Sequence, residues 1–469
     1  MRHGVVGRIM TTTPAESRES DPGVTVRLAA FCSTLTYDRL DEPTVEAVRK
    51  AFVDTLGAAY AGTTTDAGRR MLRYVGSLGG DEATVIGNDG EGGRSLAHVA
   101  ALANGTTAHA LDVDDGHRAA SAHPGSAVIP AALALGEKHG CSGEELVTAI
   151  VAGYEAMVRT AEAVQTSHRE RGFHATGTAG CVGAGAAASR VLGLDPTETA
   201  HALGLAGTQA GGLFEFMEKG SMAKRFHPGR AAMAGVVAAE LAAVGFDGPD
   251  TILEGDDGFA AAFADESDLS TFDGLGEPCA VVESYLKPYP CCRHIHGPIQ
   301  AVLELRTDGL DADAVERIEV QTYRSASYHD KREITTLLDA QMSLPYGVAV
   351  ALATGDASLE RFDPANAARE DVAAVIRNTT VVATDEMEAR YPEARPARVV
   401  VETTDGQRLE REVAYPKGAA ETPLSTEELA EKFRDLTRGV VPDGERDAVF
   451  EHAFALDEYG TVEELTARL

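Results

Sequence analysis

The sequence predicts a mostly α protein with an α+β insert. It is read as a large all-helical domain built from both ends of the chain, plus a smaller α+β domain inserted between them. Three observations carry this. From Val24 to Gly245 apolar residues recur at helical spacing, with Ala and Gly filling the runs between them. Across 315–323 and 398–413 they alternate instead, as half-buried strands do. After Ser425 the helical period returns. A chain of 469 residues is also too long for one ordinary core. We therefore expect a helical domain over 23–277 and 416–469 and the inserted domain over 278–415. Residues 1–22, rich in Thr, Ser, Glu and Pro without an apolar centre, read as a disordered leader.

The elements follow in order. Asp41 precedes a helix whose apolar side is Val45, Val48, Phe52 and Leu56, ending near Gly62. Ser95 is placed to cap a second helix running to Ala110. A third follows His123-Pro124 and closes at Gly140, and Ser142 with Glu145 forms a capping-box signature for a fourth. Further helical runs span 175–192, 196–211 and 228–244, their small residues allowing close approach of helix backbones. In the inserted domain, 315–323 reads as a strand and 398–413 as a hairpin turning at Asp405-Gly406. Helical runs at 294–307, 340–354 and 370–376 lie between, and Ser425 with Glu428 opens the C-terminal helix.

Charge narrows the function classes. A net charge of -31 opposes nucleic acid and anionic membranes, both of which need a cationic footprint. No stretch approaches the roughly 18 apolar residues of a membrane span. Six scattered cysteines do not form a disulfide framework, so a reduced, cytoplasmic setting is expected. Only 8 of the 42 basic residues are Lys, a bias fitting either a salt-saturated cytoplasm or a high-GC genome. A lysine beside other ionisable residues is therefore informative. There is no GxGxxG after a strand and no P-loop, so no nucleotide cofactor is expected.

Polar, ionisable residues gather in a few segments. The first runs from His109 through Asp112, Asp114, Asp115 and His117 to His123, between two apolar helices. It admits a solvated acidic loop, a metal site or a catalytic cluster. The second holds Arg171 and His174. The third, Lys219 to Arg230, places Lys224, Arg225 and His227 at the start of a helix, where cations oppose the macrodipole and an anion would relieve them. The fourth, Lys287 to Pro298, contains Cys291, Cys292, Arg293, His294 and His296. Adjacent cysteines chelate one ion poorly, and no second ligand pair completes a zinc set. Finally, Gln341 to Tyr346 opens an apolar helix with a phenol in its first turn.

Together these segments make the chain resemble the MmgE/PrpD family. The likeness runs through Asp112-Val-Asp-Asp, His123-Pro124, Gly172-Phe-His174, Lys224 with His227, the run from Lys287 to His294, and Gln341 to Tyr346, in the family's order. The resemblance implies a cofactor-free, metal-free homodimeric lyase acting on a small polycarboxylate, with the smaller α+β domain as a lid domain. It implies catalytic positions at Asp112, His123, His174, Lys224, Lys287 and Tyr346, with His117, His227, Arg293 and His294 binding substrate.

Proton removal beside a carboxylate creates an enediolate that fixed cations must stabilise, each donor contributing about 3 kcal/mol. Lys224, Lys287 and Tyr346 suit that task, His123 and His174 suit proton transfer, and Asp112 would orient an imidazole. Gly116 stands where decarboxylase relatives carry threonine, and the loop to His123 is one residue longer. The expected order is therefore dehydration of the 2-methylcitrate type, then dicarboxylate epimerisation, then decarboxylation. An inactive carboxylate-binding paralogue and a metal-dependent hydrolase using Asp112, Asp114 and His117 are the readings from other classes.

Overall fold

The computed structural model describes residues 22–87, 93–217 and 221–469. The expected leader falls outside these residues except for Pro22, as does Lys219. Among the described residues, nine long helices occupy the first half. They are α1 (Val24–Thr34), α2 (Glu42–Thr63), α3 (Asp66–Gly76), α4 (Ala97–Ala108), α5 (Gly125–His139), α6 (Gly143–Val164), α7 (Ala175–Val191), α8 (Pro196–Gly207) and α9 (Ala223–Ala243). Their ends are chemically marked. Asp41 accepts from the Thr44 N–H to start α2, Gly140 closes α5 in the left-handed region, and Ser142 with Glu145 forms a reciprocal capping box on α6.

Helix α7 is the axis of this domain. Every residue from Ala175 to Ser189 is buried, and the helix packs against α5, α6, α8 and α9. A helix apolar on all sides belongs at the centre of a large core. Glycine sets one crossing that matters for the site. A Cβ on Gly229 of α9 would lie 2.2 Å from the Leu102 carbonyl oxygen of α4, so only glycine permits this approach. The crossing brings the first turns of α9 against the chain that leaves α4.

Two short antiparallel pairs decorate the helical domain: β1 (Ala83–Val85) with β2 (Gly93–Ser95), and β3 (Gly116–His117) with β4 (Ser284–Tyr285). The second pair ties the first polar loop to the segment entering the lid. The lid itself is a four-stranded sheet in the order β6-β5-β7-β8. Strand β5 (Val315–Thr322) runs parallel to β6 (Thr379–Ala383) and antiparallel to β7 (Ala397–Thr403), which pairs with β8 (Arg408–Val413). Helix α10 (His296–Thr307) covers β7 and β8 and packs on α11 (Leu344–Thr354), which meets α12 (Glu370–Asn378). The lid has its own apolar core, around Ile299, Val302, Val320, Val350 and Val399. Helices α13 (Thr426–Leu436) and α14 (Arg446–Phe454) return to pack on α2, and their core residues join the cluster of the first domain.

Several local expectations are corrected. Ser95 ends β2 and donates its hydroxyl to the Gly79 carbonyl, so it does not cap α4. Helix α9 begins at Ala223, five residues before the expected start, with Pro228 inside it. A proline there removes only one main-chain bond near the end of the helix. The run at 340–354 breaks after Gln341, because Ser343 accepts from the Tyr346 N–H and starts a new helix. Strand β6 was not anticipated.

Candidate active site

The chain leaving α4 makes a tight turn over Ala110, Leu111 and Asp112, where Asp112 adopts φ +57°. Such a conformation in a non-glycine residue persists only where its surroundings impose it. Here they do. Arg225 donates to the Ala110 carbonyl (3.1 Å), Gln341 to the Leu111 carbonyl, and Lys287 to the Asp112 carbonyl (2.9 Å). One turn is thus held by side chains from α9, from the lid and from the junction between the domains.

The Asp112 carboxylate gathers two cations. Oδ1 accepts from Lys224 Nζ at 2.8 Å and from Lys287 Nζ at 3.0 Å, with all three side chains buried. Burial opposes ionisation of Asp112, but Lys224 and Lys287 outweigh it and hold the carboxyl well below the usual range. Burial lowers Lys224, whereas for Lys287 the pull of Asp112 overcomes burial and raises it. Two positive charges on one carboxylate leave a net positive cradle. Arg225, also buried, lies beside it on α9.

Against this cradle stands a group of imidazoles. His109 Nδ1 lies 2.8 Å from Asp114 Oδ2, both fully buried, while His109 Nε2 has no hydrogen-bond partner among the described residues. His123 donates from Nδ1 to the Asp115 carbonyl (2.7 Å), and its ring centroid is 4.7 Å from that of His109. His174, at the start of α7, lies 6.1 Å from His109 between ring centroids, and its Nδ1 is 2.9 Å from Nδ1 of His227. Phe214 and Phe216 face the His174 ring edge-to-face.

Burial pulls every one of these imidazoles down, His123 to about 3 and His227 to about 4, with His174 also well below its ordinary value. They are therefore neutral at neutral pH. Asp114 is held low against burial by His109 and His123. Asp115 is pushed up by burial to about 8. It serves as a latch, accepting from Tyr154 Oη (2.7 Å) and from the Gly125 N–H at the start of α5 (2.9 Å).

The structure thus brings together Asp112, His123, His174, Lys224, Lys287 and His227 of the expected residues. Asp112 receives the lysines rather than orienting an imidazole; Asp114 holds His109, which was not among the expected site residues. Tyr346 is corrected. Its hydroxyl donates to the Arg361 (2.5 Å) and Asp363 (2.9 Å) carbonyls, and its ring packs on Phe362 in the lid core. Arg293 is corrected too. It donates to the Pro416 (2.7 Å) and Lys417 (2.8 Å) carbonyls and covers the Tyr285 ring, clamping the turn that leaves the lid. His117 turns toward Glu162 (3.6 Å) and accepts the Ala120 N–H, because the β3–β4 pairing faces it away from the cradle. His294 lies in the lid with Tyr323 and His329.

The hydrolase set of Asp112, Asp114 and His117 is therefore not assembled. His109, Asp112, Asp114 and His123 do offer ligand atoms within 4.8 Å of one another. Lys224, Lys287 and the buried Arg225 outnumber the ionised Asp112 and Asp114, so the local charge favours an anion over a divalent cation. What the arrangement can do is grip a carboxylate with lysines while an unpartnered imidazole nitrogen moves a proton.

The MmgE/PrpD N-terminal domain matches residues 26–271, and the MmgE/PrpD C-terminal domain matches residues 289–456. A cis-aconitate decarboxylase-like protein of Aspergillus oryzae is 30% identical over 395 residues, covering 79% of this chain and 81% of that protein. The cis-aconitate decarboxylase of Aspergillus terreus is 27% identical over 477 residues, covering 96% of each chain. The human cis-aconitate decarboxylase is 26% identical over 434 residues, covering 88% and 87%. No helix among the described residues is long and apolar enough to cross a membrane.

Proposed function

The chain belongs to the MmgE/PrpD family, and from that membership we propose that it is a lyase decarboxylating a cis-aconitate-like tricarboxylate, ahead of the dehydration ranked first from sequence. The observation that carries this reading is the pair of ammonium groups on Asp112 beside His109, whose Nε2 is buried and without a partner among the described residues. Relatives that span nearly the whole chain and bear the decarboxylase name reverse the order of the reactions. At Gly116, where decarboxylase relatives are expected to carry threonine, a Cβ would lie 2.4 Å from Tyr285 Oη, so packing between β3 and β4 favours glycine there.

The chemistry follows from the charges. In cis-aconitate the carboxymethyl carboxylate leaves as CO2, and its bonding pair forms a new C=C bond to the central carbon. The former alkene pair moves to the vinylic carbon and into the carboxylate attached there, giving an enediolate. A proton delivered to that carbon completes 2-methylidenesuccinate, so trianion and proton become dianion and CO2. Lys224 and Lys287 would hold the carboxylate that takes up the charge, each donor contributing about 3 kcal/mol.

The proton needs an imidazolium, and bound trianion charge would raise one of the depressed imidazoles to supply it. His109 is the best placed, since the Asp114 carboxylate stabilises its charged form. His123 and His174 complete the set that faces it. Dehydration of a hydroxy acid would pass through the same enediolate, with a β-hydroxyl leaving in place of CO2. In this reading the protein is a cytoplasmic homodimer.

Incubating the purified chain with cis-aconitate, 2-methylcitrate and citrate in high-KCl buffer, read by NMR, tests the proposal. Release of CO2 with 2-methylidenesuccinate supports it. Turnover of the hydroxy acids alone would instead establish the dehydratase.

A further inference from the structure

The lid carries a second cluster of ligating side chains, distinct from the imidazoles of the helical domain. Cys292, His294 and His329 offer sulfur and nitrogen atoms that all lie within 4.8 Å of one another. Cys292 Sγ is 3.7 Å from His329 Nε2, and the rings of His294 and His329 face each other with centroids 5.4 Å apart. All three side chains are only partly buried, so an ion could reach them. The linear sequence did not show this set: Cys292 and His294 sit in one loop, but His329 arrives from beyond β5, 35 residues after His294.

We propose that Cys292, His294 and His329 form a binding site for a borderline divalent cation of the Zn2+ class, with one coordination position left open. Zn–S bonds of about 2.3 Å and Zn–N bonds of about 2.0 Å in a tetrahedron separate sulfur from nitrogen by roughly 3.5 Å, close to the 3.7 Å that Cys292 and His329 already show. The second nitrogen of each imidazole is held as metal-bound histidines require. His329 donates from Nδ1 to the Met342 carbonyl (3.2 Å), which fixes the lone pair on Nε2 facing the sulfur.

His294 Nδ1 lies 2.6 Å from Tyr323 Oη, and among the described residues nothing pairs with its Nε2. Tyr323 is itself fixed by stacking on Tyr391. The neighbouring Cys291 and His296 take no part. Cys291 is fully buried, and His296 is engaged by Arg293 and the Cys291 carbonyl. Three protein ligands and an open position are the arrangement of a zinc ion that can also take a water or a carboxylate. The segment is joined to the Asp112 turn through Gln341, whose carbonyl accepts from the Cys292 N–H and whose amide donates to the Leu111 carbonyl.

The test uses the full chain, stripped of metal with a chelator and titrated with Zn2+ by calorimetry and with Co2+ by absorption. One equivalent should bind, and the Co2+ form should show a sulfur-to-cobalt charge-transfer band in the near ultraviolet. Cys292→Ser and His329→Gln should each abolish that band. Each should weaken Zn2+ binding beyond the roughly 10- to 100-fold that losing an outer-shell partner costs. If one variant does not fold, the other decides. A Co2+ form without the thiolate band, or Zn2+ affinity unchanged in a folded variant, would overturn the site. The readout is metal binding, so its failure leaves the lyase reading untouched.

Discussion

Replacing Asp114 with Asn separates the two carboxylates that the sequence alone would confuse. Asp114 Oδ2 holds His109 Nδ1 at 2.8 Å, and both side chains are fully buried. An amide of the same shape keeps the packing but removes the charge that stabilises an imidazolium. It can also donate to Nδ1, moving the ring proton to Nε2, where a neutral ring cannot become the acid required. A carboxylate about 4 Å from a unit positive charge contributes about 4 kcal/mol at an effective dielectric near 20. A loss of 3–4 kcal/mol in the transition state is roughly a 200- to 1,000-fold fall in rate.

Asp114→Asn is therefore expected to lower kcat by about 100- to 1,000-fold, with the far-ultraviolet spectrum of the native fold and a smaller change in KM. The assay is CO2 release from cis-aconitate across pH 6–8. A folded variant within about threefold of wild-type kcat would refute the assignment of His109 as the proton donor.

Other outcomes follow from the same geometry. Asp112→Asn leaves Lys224 and Lys287 buried without their counter-charge. Urea unfolding should show a loss of about 3–5 kcal/mol, where a loss under about 1 kcal/mol would contradict the cradle. Tyr346→Phe should retain kcat within about twofold while losing about 1–3 kcal/mol of stability, because its hydroxyl serves two lid carbonyls; a large kcat defect would return it to the site.

Acid should destabilise the fold. His117 and His123 are brought to about 3 and His168 and His227 to about 4, so below about pH 6.5 the unfolded chain binds protons that the folded chain refuses. Asp115, raised to about 8, has the opposite sign and offsets one of them. These five groups alone give a slope of about 3–4 kcal/mol per pH unit between pH 5.5 and 4.5, and the lowered His109, His174, His294 and His296 add to it in the same sense; it is read as a falling urea midpoint, and a flat or rising midpoint there would contradict the buried neutral imidazoles.

What could be read in the sequence depended on the range of the signal. The capping box of Ser142 and Glu145, the Gly140 stop and the Asp405-Gly406 hairpin are local, and each formed where its residues stand. Ser95 has the right residue type for a cap, but strand β2 claims it and its hydroxyl turns to Gly79. Strand β6 owes its existence to a parallel partner over 50 residues away, which no local pattern reports.

In the site, Lys224 and Lys287 were legible because lysine is so scarce in this chain. Their shared partner is set by the left-handed turn at Asp112, and only that turn shows why Asp114 and not Asp112 faces an imidazole. His109 lay in view within the first polar segment, and its five-residue spacing to Asp114 was the available signal. Tyr346 and Arg293 share the family's motifs in register, but register carries no information on which way a side chain points.

The central claim is that the lysine cradle and the imidazoles generate an enediolate and protonate it at carbon. Turnover of cis-aconitate in D2O, followed by NMR, tests that claim most directly. The product should be 2-methylidenesuccinate with one deuterium at the carbon that was vinylic and none at the new methylidene group. Two or more deuteriums in the product, or no decarboxylation by an enzyme that hydrates cis-aconitate instead, would contradict it.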